Sequence, residues 1–484
     1  MELLVVGIDA GQKDIFLKLD MPFFQYLVEN SISVPVKENL IDRGWAKMFM
    51  GEPAVQNGSF YFYPALDGTL RITDYCNLNS ILENTSRQPL WEKLNQLNVR
   101  TGFMNTPTTS PAPEVEGFMV SGGGGGLGKT SSIPVEFCFP PEIKGQLDHH
   151  GYVLDIRMSY FESKSVVDYY KALIRMLQRR TEAFVRLCNT HSVDFGFITF
   201  RVAANLFYLS MFDLLQLIQG HHLDDRDIET EILRLVREID NSLKHLFERL
   251  SPNHYIVVSD HGMAPYRETI NLNKWLYTNG YQDKSTTQST IQHLLNWIRF
   301  NTPPLVKQWV KRRAVAKVYH QNVGFQKEST QAFALPIIPG VFLNDNRFYG
   351  VIKDGDRQRI MVEICNKFNS NPLNQDKKLH LQPNEMKETN GKYNQLLPDI
   401  YLNKPDHIHQ SGIGPYLQEN PHFGPVRSLQ GVKNDNWTGI KGRSPIFFCD
   451  EKLEELINME QQHDLTLVYA IVISYFSETR KLNL

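Results

Sequence analysis

The sequence has few cysteines and no long hydrophobic run, and each absence excludes a class of protein. The five cysteines are odd in number, widely scattered and never in CxxC spacing, which argues against a disulfide framework and against a zinc knuckle. No stretch approaches the roughly 20 apolar residues of a membrane span, and residues 2–8 lack the basic leader of a signal peptide. We therefore expect a cytoplasmic protein with no membrane partner.

The chain also has almost no net charge. Lysine and arginine total 51 against 53 aspartates and glutamates, so no global field would attract nucleic acid or an anionic surface. We expect no nucleic-acid partner, and the sequence leaves the oligomeric state open.

Short apolar runs that close on a polar or turn residue recur along the 484 residues, which is the pattern of buried parallel strands. The runs are 3–9, 195–200, 255–260, 340–344, 399–403 and 445–449. Helical spacing of apolar residues is found at 163–188, 228–250 and 465–475. The alternation predicts an α/β fold, with a mostly parallel sheet sandwiched between helices and a site at the carboxyl ends of its strands.

Two regions interrupt this alternation. Residues 281–335 are helix-like but basic and polar, and they contain a Pro303-Pro304 pair. We predict a helical cap inserted at 281–335, with 1–280 and 336–484 forming the core. Residues 366–396 are rich in Asn, Gln and Lys and are predicted to be surface loop.

The most specific string is SDHG at residues 259–262, which ends a buried run and is followed by NLNKWL at 271–276. An Asp and a His fixed at a strand end suit Zn²⁺, Mn²⁺ or Mg²⁺. The two segments together resemble the type I phosphodiesterase/nucleotide pyrophosphatase branch of the alkaline phosphatase superfamily. Asp9 resembles the family's first metal-binding Asp, and GFMVSG at 117–122 and GVFLN at 340–344 follow in the family's order. The resemblance implies the family's fold, with metals at the strand ends.

The same resemblance shows what this chain has lost. The family's Thr or Ser nucleophile lies three residues after the first Asp, and here that position is Gln12, which has no hydroxyl to activate. The ligands of one family metal align with Val202 and Leu206, and the family's last His aligns with Asp435. One of the two metal sites is therefore predicted to be lost.

The other site keeps its ligands. In the family, the residues matching Asp9, Asp260 and His261 hold the metal beside the nucleophile, so we predict one divalent ion here, either Zn²⁺, Mn²⁺ or Mg²⁺. The alternative is a metal-free relic in which the three residues remain as hydrogen-bonding strand ends. Asp435, His407 and His409 are candidates to rebuild a second site, although loop histidines are commonly plain surface.

Gln12 and Lys13 are the predicted catalytic residues, and the Lys13 ammonium beside the lost metal site would hold an anionic oxygen of the substrate. Lys129 in the glycine-rich run 123–130 and Arg347 in the family-like segment are predicted to bind the small anionic substrate. The glycine run also matches GxxxxGK(S/T), the expression of a P-loop. A P-loop must open a helix, whereas the residues that follow, with Pro134 among them, favour extended chain. Nucleotide binding is therefore a remote alternative.

The sequence predicts a diverged metal-dependent phosphodiesterase- or phosphatase-like enzyme that acts on a phosphate, sulfate or related ester. Without the nucleophile, the reaction would be attack by water or group transfer at a single metal, with Gln12 hydrogen-bonding the substrate. Such a change of chemistry would suit a specialised biosynthetic pathway. The alternative is a catalytically inactive pseudoenzyme that binds a ligand or regulates a partner.

Overall fold

A computed structural model of the chain describes residues 1–66, 72–73, 77–122, 133–158, 161–283, 325–387, 391–412, 414–429 and 437–481. The chain forms two compact units. The first unit consists of Met1–Ser59, Cys76–Tyr266 and Pro421–Leu484, and the second consists of Phe60–Tyr75 and Arg267–Asn420.

An eight-stranded sheet forms the centre of the first unit. In spatial order its strands are β2 (Ile32–Ser33), β19 (Phe447–Cys449), β9 (His254–Val258), β1 (Leu3–Ile8), β8 (Phe195–Phe200), β5 (Thr101–Thr106), β6 (Gly117–Ser121) and β7 (Cys138–Phe139). The five strands from β9 to β6 are parallel, and β2, β19 and β7 pair antiparallel at the two edges. The predicted mostly parallel sheet is confirmed.

Helices cover both faces of this sheet. They are α1 (Lys13–Phe16), α2 (Pro22–Glu29), α3 (Gly44–Met50), α4 (Ala54–Asn57), α5 (Leu78–Leu82), α6 (Leu90–Gln96), α7 (Ile143–His149), α8 (Val166–His191), α9 (Val202–Ile218), α10 (Arg226–Leu250) and α14 (Thr466–Lys481). Alternate residues of β1 point to opposite faces: Leu4 and Val6 pack with α2, α8, α9 and α10, and Leu3 and Val5 pack with α3, α6 and α14. Burying one such side chain stabilises the fold by about 1.5–3 kcal/mol.

The second unit is built mainly on antiparallel strands. A four-stranded sheet has the order β12 (Ala332–Phe333), β13 (Gly340–Leu343), β15 (Ile400–Asn403) and β14 (His380–Pro383). A three-stranded sheet has the order β16 (Ile408–Gln410), β11 (Glu268–Ile270) and β17 (Leu417–Glu419), and β3 (Tyr63–Pro64) pairs with β4 (Ile72–Thr73). The helices among its described residues are α11 (Leu272–Thr278), α12 (Asp354–Asn369) and α13 (Pro372–Asp376).

Short elements complete the chain. In the first unit β10 (Gly262–Pro265) pairs antiparallel with β18 (Gly439–Gly442). Four 3-10 helices lie wholly within the described residues: Val135–Phe137, Glu385–Lys387, Asn394–Leu396 and Glu451–Leu456. Among the described residues, no helix is both long and apolar enough to cross a membrane.

Two features of the second unit differ from the sequence prediction. The runs at 340–344 and 399–403 form strands of an antiparallel sheet rather than of the parallel one, because a short buried apolar run has the same pattern in both. Residues 366–396, expected to be loop, contain the end of α12, all of α13 and β14. The expectation was wrong because a polar composition does not exclude helices and strands, and Pro372 is a residue typical of the first turn of a helix.

The boundaries of the two compact units also differ from those of the predicted insert at 281–335. Residues 336–420, assigned from sequence to the core, belong to the second compact unit. Most of the predicted helical insert, 284–324, lies outside the described residues, so its helical character stays a prediction.

Candidate metal centre

Asp9, Asp260 and His261 meet at the carboxyl ends of two adjacent parallel strands. Asp9 follows β1, and Asp260 and His261 follow β9 after Ser259. One ligand atom from each residue lies within 4.8 Å of the others. His261 Nε2 is 3.4 Å from Asp260 Oδ2 and 4.0 Å from Asp9 Oδ1. All three residues are buried, with Asp9, Asp260 and His261 exposed to 7%, 3% and 2%.

The imidazole of His261 is set up as a ligand by its own backbone. Its Nδ1 lies 2.8 Å from the carbonyl oxygen of Gly262, which can only accept, so Nδ1 carries the proton. Nε2 therefore presents a lone pair to the two carboxylates. Burial, followed by the charge of Lys441, lowers the pKa of His261 to about 3, so the ring is neutral at physiological pH.

The two carboxylates face each other at close range. Burial and the negative charge of Asp260 raise the pKa of Asp9 to about 6. The backbone N–H of Ala10 donates to Asp260 Oδ1 at 3.3 Å, with Ala10 in the left-handed region at φ 63°. A non-glycine residue in that conformation is strained by about 1–2 kcal/mol. The strained backbone at Ala10 therefore helps to hold the carboxylates of Asp9 and Asp260 close together.

Helix α3 fixes the backbone of the cluster from one side. A Cβ placed on Gly44 would lie 2.3 Å from the carbonyl oxygen of Asp260, a distance at which backbone atoms clash. Only glycine permits this approach.

Arg201 lies beside the cluster and was not predicted. It follows β8 directly, its Nε donates to Asp9 Oδ2 at 3.2 Å, and its Nη1 donates to Asp155 Oδ2 at 2.7 Å. Burial opposes its charge, but Asp155 and Asp9 outweigh burial and raise the pKa of the guanidinium. Asp9 therefore uses one oxygen for Arg201 and keeps the other for the cluster.

Lys441 is a second cation that the sequence analysis missed. It lies on β18, opposite Met263 of β10, and interacts with the charges of Asp260 and Asp9. Burial lowers the pKa of its ammonium to about 8, so the group is still mostly charged near neutral pH. Arg43, a buried residue directly before α3, lies close enough to act on the same pKa.

The model of the type I phosphodiesterase / nucleotide pyrophosphatase family matches residues 3–335 of this sequence. The chain belongs to this family. A comparison with curated proteins finds no match.

Solved structures agree on the fold. Phosphonoacetate hydrolase from Sinorhizobium meliloti 1021 is similar in its complex with phosphonoacetate, at 10% identity and a TM-score of 0.54, and in its complex with phosphonoformate, at 12% identity and a TM-score of 0.52. Both alignments cover 98% of this chain and 96% of that chain. Murine ectonucleotide pyrophosphatase/phosphodiesterase 5 is 12% identical, with coverages of 99% and 95% and a TM-score of 0.47. At these identities the likeness to the hydrolase shows the fold alone.

The phosphodiesterase family implies divalent metals, and the donor set found here fits one. Two carboxylate oxygens and a neutral imidazole nitrogen converge, which is a combination that Zn²⁺ and Mn²⁺ bind in proteins. No second group of three such side chains occurs in the part of the chain that the structure describes. Val202 and Leu206, which align with lost family ligands, are fully buried in the apolar core. The role of the three residues as metal ligands stays a prediction.

The residues predicted to contact substrate are found in different settings. Gln12, directly before α1, accepts a long hydrogen bond from the backbone N–H of Met263 at 3.4 Å, beside the cluster. Lys13 donates to Ser33 Oγ at 2.8 Å, which gives its ammonium a partner on the edge strand β2. Arg347 lies in the second unit and pairs with Asp345 and Asp399, ion pairs that suffice to explain it without a substrate. Substrate binding by these residues stays a prediction.

Other predicted residues fall elsewhere. Lys129 and Asp435 lie outside the described residues. Residues 133–139, which follow the glycine run, form a 3-10 turn at Val135–Phe137 and then β7, and not the long helix of a P-loop. His407 lies in the second unit, 4.0 Å from Glu268 Oε1, and burial lowers the pKa of His409 on β16 to about 3. A second metal site at these histidines stays a prediction.

Proposed function

We propose that this member of the phosphodiesterase family is a hydrolase or transferase that acts on small anionic phosphate, sulfate or related esters with one divalent ion. The observation that carries the proposal is the convergence of Asp9, Asp260 and His261, with the Nε2 lone pair of His261 facing both carboxylates. When bound, a divalent ion polarises an ester oxygen and lowers the pKa of a bound water.

Gln12 takes the position of the family's nucleophile and changes the chemistry. Because the atom that faces the N–H of Met263 must be an acceptor, the amide oxygen of Gln12 points there and its NH₂ group is directed away. That NH₂ group is a donor suited to a substrate oxygen. An amide cannot form a covalent phosphoryl intermediate, so transfer proceeds directly to water or to an acceptor alcohol.

Metal analysis of the purified protein tests the ion. We expect about one Zn²⁺, Mn²⁺ or Mg²⁺ per chain, and its loss in Asp260→Asn and in His261→Ala. His245→Gln on the surface of α10 is the matched histidine control and is expected to keep the ion. Equal metal content in all four proteins would refute the site.

Turnover tests the reaction. Phosphate monoesters, phosphodiesters and sulfate esters are to be assayed with each ion, with and without an added alcohol as acceptor. A chiral phosphorothioate ester then distinguishes the two mechanisms. A single direct displacement inverts the configuration at phosphorus, whereas two successive displacements retain it. We expect inversion in the natural protein, and retention would show a covalent intermediate and contradict the role given to Gln12.

A second candidate, a pseudoenzyme that binds a ligand or regulates a partner, is favoured by one observation. Arg201 already neutralises Asp9 without any ion, as a relic site would require. Absence of both bound metal and turnover in the two experiments would support this candidate over the enzyme. Metal occupancy without hydrolysis, but with transfer to the added alcohol, would support the transferase.

A further inference from the structure

Asp155, which pairs with Arg201 beside the candidate metal centre, lies on an irregular segment. Residues 152–156 lie between α7 and α8 and form neither helix nor strand. Asp155 Oδ2 accepts from Arg201 at 2.7 Å, and Arg201 also donates to Asp9 at 3.2 Å. A segment outside helices and sheets has no regular ladder of main-chain hydrogen bonds to fix it. The position of Asp155 therefore depends on contacts from neighbouring elements.

Arg180 of α8 binds the main chain on both sides of this ion pair. Its side chain is fully buried, and its Nη2 donates to the carbonyl oxygen of Leu154 at 2.8 Å, directly before Asp155. Its Nη1 donates to the carbonyl oxygen of Thr199 on β8 at 3.4 Å, two residues before Arg201. One planar guanidinium thus links the segment that carries Asp155 to the strand that leads into Arg201.

Tyr169 holds the other side of the segment. Its hydroxyl donates to the carbonyl oxygen of Ile156 at 3.0 Å, directly after Asp155. Tyr169 and Arg180 are separated by about three turns of α8, so both side chains project from the same face of the helix. The peptide groups before and after Asp155 are therefore bonded to one helix.

The buried charge of Arg180 is not explained by the stability of the core. Burial lowers the pKa of its guanidinium, and the nearby Tyr152 and Asp155 offset this effect only in part. A charge in the protein interior is costly, and an apolar side chain of similar volume would fill the space without that cost. The contacts that Arg180 makes with the segment and with β8 give this charge a role.

We propose that Tyr169 and Arg180 are positioning residues for the candidate metal centre. They hold the main chain around Asp155, and Asp155 holds the Arg201 guanidinium at Oδ2 of Asp9, which leaves Oδ1 to the cluster. If the segment shifts, Arg201 loses its bond to Asp155 and moves towards both oxygens of Asp9, where it competes with a metal ion. The inference rests on the proposed function, because that function requires Asp9 as a ligand.

Two neighbouring tyrosines of α8 provide a matched test. Tyr169→Phe removes the hydroxyl that holds Ile156, and Tyr170→Phe removes a hydroxyl that lies 2.6 Å from Ser210 Oγ on α9; both tyrosines are fully buried. We expect Tyr169→Phe to lower Zn²⁺ affinity about threefold in a titration against a chelator. Tyr170→Phe should keep the affinity, although urea unfolding should show a similar loss of stability in both variants.

Two results of this titration would overturn the proposal. The first is unchanged or higher Zn²⁺ affinity in Tyr169→Phe. The second is an equal loss of affinity in Tyr169→Phe and Tyr170→Phe, which would show that the metal centre responds to any lost hydroxyl of α8.

Double variants show whether the effect passes through Asp155. In the Asp155→Asn background the charged partner of Arg201 is already gone, so Tyr169→Phe should cause no further loss of Zn²⁺ affinity. Arg180→Lys keeps the charge but lacks the planar fork that reaches two carbonyls. It should lower the affinity about threefold in the natural background and not in Asp155→Asn. Losses that add in the double variants would contradict the proposed route.

The bond from Arg201 to Asp9 can also be followed without an ion. The Nε–Hε resonance of Arg201 in an NMR spectrum, assigned by its loss in Arg201→Lys, should shift in metal-free Tyr169→Phe and Asp155→Asn and stay in place in Tyr170→Phe. If the natural protein binds no Zn²⁺, Mn²⁺ or Mg²⁺, the proposed function fails, and this resonance still decides the positioning role. If an ion binds but neither its affinity nor the resonance responds to Tyr169→Phe, the positioning role is wrong and the proposed function stands.

Discussion

Asp9 in the first unit and Asp399 in the second are both buried aspartates at strand ends, and their surroundings have opposite effects on them. The side chain of Asp399 is fully buried, and Arg347 Nη2 and Lys387 Nζ lie 2.5 and 2.6 Å from its oxygens. Arg357 also contacts it, and the N–H of Leu343 donates to it at 2.7 Å. Burial opposes its charge, but Lys387 and Arg347 outweigh burial and lower its pKa to about 2.

Asp9 faces another carboxylate, and its pKa is raised to about 6. The ionised carboxylate of Asp399 therefore stabilises the fold, whereas the ionised carboxylate of Asp9 is held beside a like charge at a cost in stability. Charged groups held in unfavourable surroundings of this kind are concentrated at functional sites. The following predictions test this comparison.

The largest effect is expected for Asp399→Asn. Removing the charge leaves only the carboxylate of Asp345 to neutralise Arg347, Arg357 and Lys387, so we expect a loss of about 3 kcal/mol in the free energy of unfolding, measured in urea. Asp376→Asn, an exposed substitution on α13, is the control. A loss below about 1 kcal/mol would show that the Asp399 cluster does not stabilise the second unit.

The same carboxylate predicts an acid limit. Its pKa is about 2 in the folded protein against an ordinary 3.8, so its contribution is complete above pH 4 and is lost as the pH falls towards 2. The lost stability should be about 2 kcal/mol. Acid unfolding of Asp399→Asn should lack this dependence, and parallel curves for the two proteins would contradict the assignment.

Asp9→Asn is expected to change the free energy of unfolding in the direction opposite to Asp399→Asn. In metal-free protein near neutral pH, removing one of two facing carboxylates should raise the free energy of unfolding by about 1–2 kcal/mol, because the lost pairing with Arg201 offsets part of the gain. The same variant should lose its bound ion. Destabilisation of the metal-free variant would mean that Asp9 is a structural charge like Asp399.

The smallest effect is expected for Asp155→Asn. Arg201 would then be free to bind Asp9 more closely and compete with the ion, so metal affinity should fall about tenfold, or about 1.4 kcal/mol. Titration against a chelator measures it, and Asp148→Asn on exposed α7 is the control. Unchanged affinity would show that Arg201 does not position Asp9.

Much of this architecture could be predicted from the sequence. The strands β1, β8 and β9 end within two residues of the predicted runs. The strand-end rule correctly placed Asp9 beside Asp260 and His261, because parallel neighbours finish at one edge of the sheet. Helix α9 was not recognised, because a helix that is apolar on all sides has no periodicity to detect.

The cations were missed for two different reasons. Arg201 occupies the strand-end position after β8, but a metal-site pattern consists of carboxylates and histidines and does not include a guanidinium. Lys441 reaches the cluster through the pairing of 262–265 with 439–442, a contact between distant segments that local patterns do not encode. The sequence therefore predicted the three residues of the cluster and not the cations beside it.

The bond from His261 Nδ1 to the carbonyl of Gly262 has an evolutionary consequence. Many metal-binding histidines are oriented by a neighbouring carboxylate, which one point mutation removes. Here the orienting atom belongs to the main chain, which every residue type supplies, so no substitution can delete it without moving the turn itself. Side chains beside the cluster, such as Gln12, can therefore change while the imidazole keeps its orientation.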